Sequence, residues 1–501
     1  MSENYEYRRG QVREGKVPVR TKILQGFGGL VSSHKDFAFG TFLLLYYSQI
    51  LGLSASLVSV VIALSLIVDA VSDPIVGSMS DNYKSKLGRR HPFMFAAAIP
   101  FGITMYCLFT PPSGLGDGAL LAWLACFTIA ARIAFTFFII PWNAIAAEFS
   151  QDYVERTSII TYRYMVGWVG GVMFFVFTWS YLFPNTEAYP AGQLNPANYS
   201  TFGLIVGCLV ILWAFISSLG TKDQIPYLLQ PVHETPKTSI SSVVSDTLMA
   251  LKNANFLRLF VLSFIFSGVA GVGGVFDIYM NTYFWEFTPD ELRWFALSAI
   301  GAICAFIAIP FLQKIIDKHI LLQWFLAAVM ILAMLKVCFR FWDIWPENGD
   351  PLLLQLLICH SVVQTFLLTT CGIMVASLVA DLMDEQELET GKRQEGVFSA
   401  ALSFSAKATT SVGIVIGGLV LDFVVALEKQ APVGSVDDGT LFRLAFSDGI
   451  AVPLLFFIPI YLISTITMTR SRLAEVQAQL GEKRALVTVN DSDEGDGARE
   501  G

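Results

Sequence analysis

A helix that crosses a membrane needs about 20 predominantly apolar residues. Twelve stretches of this chain reach or approach that length, near 26–51, 57–80, 93–112, 119–147, 157–183, 201–219, 256–283, 293–313, 320–341, 352–381, 395–426 and 442–469. They predict an all-α integral membrane protein of twelve transmembrane helices. Charged residues make up only 15% of the chain, against about 25% in a soluble domain. The deficit runs along the whole length, so a soluble enzyme with a single anchor is excluded. Residues 1–22 are polar and basic and show no cleavable signal peptide, which leaves the first span as the targeting signal.

Lys and Arg in short loops set orientation. Lys84, Lys86, Arg89 and Arg90 follow the second span, Lys314 and Lys318 the eighth, and Lys392 and Arg393 the tenth. Arg470, Arg472, Lys483 and Arg484 follow the twelfth, whereas 185–199 and 342–351 contain no basic residue. Both termini are therefore expected in the cytoplasm, as an even number of spans requires, with the protein in a plasma membrane of bacterial inner-membrane type. The longest internal polar stretch divides the chain into a six-helix half at 1–219, a central loop at 220–255, a second six-helix half at 256–470 and a tail at 471–501. Gly77…Asp81…Lys84…Gly88-Arg89-Arg90 is faintly echoed by Lys314…Asp317-Lys318-His319, which points to duplication. Two such halves match the layout of major-facilitator transporters, with sites near the midplane between them.

Much of the net charge of −8 sits in the acidic stretch Val489–Gly501, which reads as a disordered tail. No basic stripe for nucleic acid is visible. The seven cysteines all fall in apolar stretches without a CxxC pair. They read as small core residues and not as a disulfide framework or zinc site. No GxSxG, HExxH or P-loop occurs, so no enzyme constellation can be named.

Charged groups deep in a membrane cost about 2.5–3.5 kcal/mol each on insertion scales, so they mark the sites to read first. In the second span Asp69 and Asp73 stand four apart and share one helix face, with Ser72 beside them. Two carboxylates so placed repel each other unless a cation or proton lies between them; the alternative is a pair of structural salt bridges. Asp36, in His34-Lys35-Asp36 of the first span, is either a hydrogen-bonding group for a polar solute or an interfacial cap. Lys35 and His34 are expected to snorkel to the interface. Lys407 of the eleventh span is long enough to reach the second-span carboxylates, either to replace a departing cation or as a fixed ion pair. Arg163 of the fifth span is a solute ligand or a gate bridge. His360 reads as hydrogen-bonded packing.

Asp69-x-x-x-Asp73-Pro74-x-x-Gly77, followed by Gly88-Arg89-Arg90-His91-Pro92, resembles the signature of the glycoside–pentoside–hexuronide:cation symporters, the melibiose-permease-like family of the major facilitator superfamily. Lys35-Asp36-Phe37-Ala38, Pro141, Glu155-Arg156…Arg163, Ala380-Asp381 and Glu395-Gly396…Lys407 resemble it in the same order. The resemblance implies a major-facilitator fold working by alternating access. It implies that Asp69, Ser72, Asp73 and Thr136 bind the coupling cation, Na+ or H+, that Asp36 and Arg163 bind sugar hydroxyls, and that Lys407 links the two sites. The family pattern has an aspartate just before the fourth-span proline, an aromatic just after it, and a tryptophan in the tenth span. Here Ile139, Asn143 and Gly372 stand there, with Trp142 between Pro141 and Asn143. Trp142 and Asn143 are therefore the fourth-span candidates for the solute, and the resemblance does not extend to a galactoside pocket.

The expectation is a monomeric cation-coupled symporter of a glycoside-like solute in the lipid bilayer, with no cofactor. A sodium-dependent lysophospholipid symporter, a branch of the same family that also lacks the fourth-span aspartate, is the rival. A transporter-like sensor that signals without transport is the rival from another class.

Overall fold

The computed structural model describes residues 7–9, 15–150, 152–231, 254–390, 395–465 and 472–480. A short strand β1 (Tyr7–Arg9) precedes the first span. That span, α1, is helical from residue 19 to 50, but not as one α-helix. It runs Val19–Gly26, turns at Phe27, resumes over Gly28–Phe37 and passes into π-helical turns at Ala38–Leu43 and Tyr46–Ile50. Eleven further helices among the described residues are long and apolar enough to cross a membrane. They are α2 (Ala55–Asn82), α3 (His91–Leu108), α4 (Asp117–Glu148), α5 (Val154–Leu182), α6 (Pro196–Gly220), α7 (Phe260–Phe284), α8 (Pro289–Ile315), α9 (Lys318–Phe341), α10 (Pro351–Glu385), α11 (Ser405–Val425) and α12 (Asp438–Ser464). Helix is what such sequences must form, because hydrocarbon offers no partner to a free backbone N–H or C=O. Prolines 74, 100, 141 and 310 lie inside helices, as neighbouring helices in a bundle permit.

The expected central loop is partly structured: a 3₁₀ turn at Lys222–Tyr227 leads to β2 (Leu229–Pro231), which pairs antiparallel with β1. Nothing in the sequence pattern foretold that ribbon. The rest of the expected loop, 232–253, and the acidic tail Val489–Gly501 lie outside the described residues, as do Lys392, Arg393, Arg470, Lys483 and Arg484.

The packing repeats with a shift of six helices. In the first six, α2 packs on α4, α3 on α4 and α6, and α1 on α5 and α6; in the last six, α8 packs on α10, α9 on α10 and α12, and α7 on α11 and α12. Side chains repeat it too. Arg90, just before α3, meets Glu148 of α4 at 2.7 Å, and Lys318, opening α9, meets Asp381 of α10 at 2.6 Å. The two sets touch through α2 against α11, α5 against α8, and α1 against α7. Small residues let the helices approach. A Cβ on Gly418 of α11 would collide with Ser59 Oγ of α2, and one on Gly413 would collide with the Gly268 carbonyl of α7.

The end of the bundle opposite the basic loops is sealed across the two sets. Asp422, at the end of α11, accepts hydrogen bonds from Ser54 Oγ at 2.6 Å and from the backbone N–H groups of Ala55 and Ser56 at 3.1 and 2.8 Å. A carboxylate at the N-terminus of α2 is favoured by the orphan N–H groups and dipole there. Ser48 with Tyr279 at 2.6 Å, Tyr283 donating to Gln49 at 3.2 Å, and Gln193 donating to Thr282 at 3.2 Å extend the seal.

The cysteines depart from expectation. Cys371 is buried, but Cys126, Cys208, Cys304 and Cys359 are exposed on the bundle. A surface built for lipid is itself apolar, so a thiol need not be in the core to lie among apolar neighbours.

Candidate functional site

Asp69, near the middle of α2, is 4% exposed. The four-residue spacing does put Asp73 on the same face, one turn on. The two carboxylates are held from both sides. On one side the hydroxyl of Thr136, from α4, donates to Asp69 Oδ1 at 3.0 Å and stands 3.4 Å from Asp73 Oδ1. Ser72 Oγ lies 3.1 Å from the same hydroxyl and donates to the Asp69 carbonyl. On the other side Lys407 of α11 reaches across from the last six helices, with Nζ 2.8 Å from Asp69 Oδ2 and 2.5 Å from Asp73 Oδ2. Each carboxylate thus gives one oxygen to the ammonium and presents the other beside the hydroxyls of Ser72 and Thr136. Four oxygens grouped in this way suit a hard monovalent cation, whereas Lys407 supplies a positive charge without needing one.

Sequence reasoning passed over Arg132. It lies in the middle of α4, is 7% exposed, and has Nη1 4.0 Å from Asp69 Oδ2, with its guanidinium over the Phe39 ring at 4.9 Å. An arginine in the centre of an apolar span was the signal. With Arg132 included, two carboxylates face two cations.

Lys35 and His34 do not snorkel. Lys35 is 5% exposed, pairs with Asp36 at 2.8 Å and lies 3.9 Å from the centroid of the Phe135 ring, next to Thr136. His34 stacks on Phe174 at 4.0 Å. The α1 backbone carries both inward, where a cation–π contact and a carboxylate replace water. Asp36 itself is open, its side chain 67% exposed. Gly40, one turn on, has nothing within 4 Å of the place a Cβ would take, so this face of α1 borders open space.

Arg163 of α5 is half-buried and has no carboxylate partner among the described residues. Its guanidinium lies over the Trp142 ring at 4.6 Å and over Tyr164 at 5.2 Å. Trp142, expected as a fourth-span candidate for the solute, is packed away from open space. It is 4% exposed, its indole N–H donates to the Gln25 carbonyl at 2.8 Å, and its edge fills the space beside Gly28. Packed between α1 and α4, it braces Arg163 and presents no free face. Asn143, next along α4, is exposed. The helix at Glu395 and Gly396 is present, but those side chains lie outside the described residues.

Residues 24–469 match the family described as MFS/sugar transport protein. The chain belongs to that family. It is therefore a multi-pass membrane transporter and not an enzyme. Among its relatives, an uncharacterised symporter, YnaJ, of Bacillus subtilis is 29% identical over 78% of this chain and 81% of its own. A putative glycoside/cation symporter, YagG, of Escherichia coli is 22% identical over 94% and 96%. The isoprimeverose transporter of Lactiplantibacillus pentosus is 24% identical over 76% and 75%. Of solved structures, the nucleoside transporter NupG superimposes with a TM-score of 0.59 at 14% identity, covering 89% of this chain and 99% of that one. That likeness concerns the fold alone.

Proposed function

We propose that this protein carries a hydroxyl-bearing solute of the glycoside class across the membrane together with a monovalent cation, Na+ or H+, by alternating access. The observation that carries the reading is Lys407 seated between Asp69 and Asp73 across the seam between the first and last six helices. Asp69, Asp73, Ser72 and Thr136 form the cation site. A cation entering there takes over the neutralising role of the ammonium and frees Lys407, so cation occupancy changes a contact that ties α2 to α11. A ligand shifts such an equilibrium only through different affinities for its states, and this site supplies that difference. Asp36 and Arg163, with Asn143, offer hydrogen bonds to solute hydroxyls, and Trp142 holds Arg163 in place.

The seal at Asp422 closes one end. With the basic loops and both termini in the cytoplasm, as charge asymmetry favours, this is an inward-facing arrangement in the plasma membrane. The cation site and the groups assigned to the solute lie within one chain, so the reading requires no second copy and takes the monomer as the working unit. A lysolipid solute is the second reading. It is favoured by a groove of about 370 Å³ between α5 and α8, lined by Phe37, Trp168, Val172, Phe175 and Ala302.

A ligand bound by the folded state raises its apparent stability. Thermal unfolding of the detergent-purified protein with glycosides or lysolipids, with and without sodium, tests both readings. Stabilisation by a glycoside that grows with sodium or with acidification supports the first. Stabilisation by lysolipids alone replaces it with the second.

A further inference from the structure

Arg132 of α4 takes no step in the exchange at Asp69 and Asp73, yet its charge lies buried beside them. It stands one turn before Thr136 and so shares that face of α4. Its Nη1 is 4.0 Å from Asp69 Oδ2, and Phe39 of α1 covers the guanidinium at 4.9 Å. A guanidinium stays protonated inside a protein, so this positive charge cannot be switched off.

Lys407 and Arg132 differ in where they are anchored. Lys407 belongs to the last six helices and parts from the carboxylates when the two sets separate. Arg132 belongs to the first six, on a helix packed directly against α2, and moves with Asp69 and Asp73. The other charges close by balance one another. Lys35 of α1 pairs with Asp36 at 2.8 Å, and α3, which also packs on α4, carries no charged side chain from Phe93 to Leu108. Once Lys407 leaves, two carboxylates and one guanidinium remain, so the deficit is one unit of charge and not two.

The deficit also has a place. The Asp69 side chain is 5% exposed, keeps Arg132 beside it and accepts from Thr136 at 3.0 Å. The Asp73 side chain is 24% exposed and has Lys407 as its only ion-pair partner among the described residues. Asp73 also lies one turn nearer the end of the bundle that carries the basic loops.

We propose that Arg132 is the resident countercharge of Asp69 and limits the exchange to a single monovalent cation, held on Asp73. This rests on the cation-coupled reading above and sets its stoichiometry and selectivity. A divalent ion, or a second monovalent one, would leave an unbalanced charge in a site of low permittivity. Without Arg132 the deficit doubles, and sodium is drawn in more tightly.

Arg132→Gln removes the charge and keeps hydrogen-bond donors; Arg132→Lys keeps the charge. A bound ion raises the unfolding temperature. Thermal unfolding of the full-length, detergent-purified protein is therefore followed as sodium chloride replaces choline chloride at constant ionic strength, and across pH, for wild type and both variants. Wild type is expected to respond as to one bound ion. Arg132→Gln is expected to lose stability without sodium and to recover it with sodium. It should half-saturate at roughly tenfold to hundredfold less sodium, the scale of one unit charge a few ångströms away in a protein interior. If wild type responds to protons alone, Arg132→Gln gains a response to sodium. Arg132→Lys is expected to follow wild type. A loss of stability in Arg132→Gln that sodium does not repair, or a cation dependence equal to wild type, gives Arg132 a packing role and overturns the proposal. So does an Arg132→Lys that behaves like Arg132→Gln, or a wild type whose response fits two ions; in each of these cases the symport reading stands. No response to sodium or protons in any of the three proteins overturns the cation-coupled reading as well.

Discussion

Lys407 and Asp73 stand 334 positions apart in sequence and 2.5 Å apart in space. The lysine belongs to α11 and the aspartate to α2, so this pair also joins the two sets of six helices. The coupling proposed above is a change in that one contact.

Lys407→Ala removes the resident positive charge and leaves Asp69 and Asp73 facing each other. The loss of stability should fall between the ~1 kcal/mol of an exposed pair and the ~3–5 kcal/mol of a buried one, because the Lys407 side chain is 27% exposed. Sodium should restore it, since the cation no longer competes with an ammonium. The expected outcome is a variant that sodium stabilises more than wild type but that no longer accumulates solute. Thermal unfolding across a sodium series, beside uptake, checks both parts. A variant indifferent to sodium and to protonation would contradict the site.

Thr136→Val keeps volume and removes one oxygen from the cation cluster. Cation affinity should fall about tenfold, the scale of one lost hydrogen-bonding ligand, while maximal solute uptake at saturating cation stays near wild type. Uptake measured against cation concentration separates these effects. A lowered maximum with unchanged cation dependence would give Thr136 a purely structural role.

Asp422→Asn weakens three hydrogen bonds at the start of α2. Charge-assisted bonds contribute about 1.5–3 kcal/mol each, so losing about 2 kcal/mol of the seal shifts the closed-to-open ratio roughly thirtyfold. A Gln49→Cys probe, within the seal itself, should then react faster with a membrane-impermeant maleimide in the Asp422→Asn background than with Asp422 intact. Equal rates would show that the seal does not depend on this carboxylate.

Gly418→Ala tests the close approach of α2 and α11. A methyl group there collides with Ser59 Oγ and meets the Ala55 carbonyl at 2.8 Å, so the helices must part. Overpacking of this kind costs about 1–3 kcal/mol, all of it in the state where the seal is closed. Maleimide labelling at Gln49→Cys should rise as it does for Asp422→Asn, at normal membrane expression.

Much of this was legible in the chain. The spans announced themselves because a bilayer demands long apolar runs, and Asp69 and Asp73 because a helix places residues four apart on one face. Lys407 was conspicuous for its depth and length. Arg132 of α4, Lys336 of α9 and Asp448 of α12 broke the same rule of costly intramembrane charge, yet none has an oppositely charged residue three or four places away on its own helix; only packing brings Arg132 to Asp69 and Lys336 near Asp448. Trp142 drew attention because it stands between the fourth-span proline and Asn143, positions that the resemblance ties to the solute, whereas the cleft left at Gly28 draws it into the seam with α1. The β1–β2 ribbon joins segments far apart in the sequence through strands of three residues, too short for alternation to show.

The central claim is that a cation bound at Asp69 and Asp73 drives the solute. Its most direct test is accumulation of a labelled glycoside in proteoliposomes under an imposed sodium or proton gradient, for wild type and Asp73→Asn. The account predicts that wild type concentrates the glycoside only when one of the gradients is present, and that Asp73→Asn does not concentrate it under either. Equal accumulation without any ion gradient, or undiminished gradient-driven accumulation by Asp73→Asn, would contradict it.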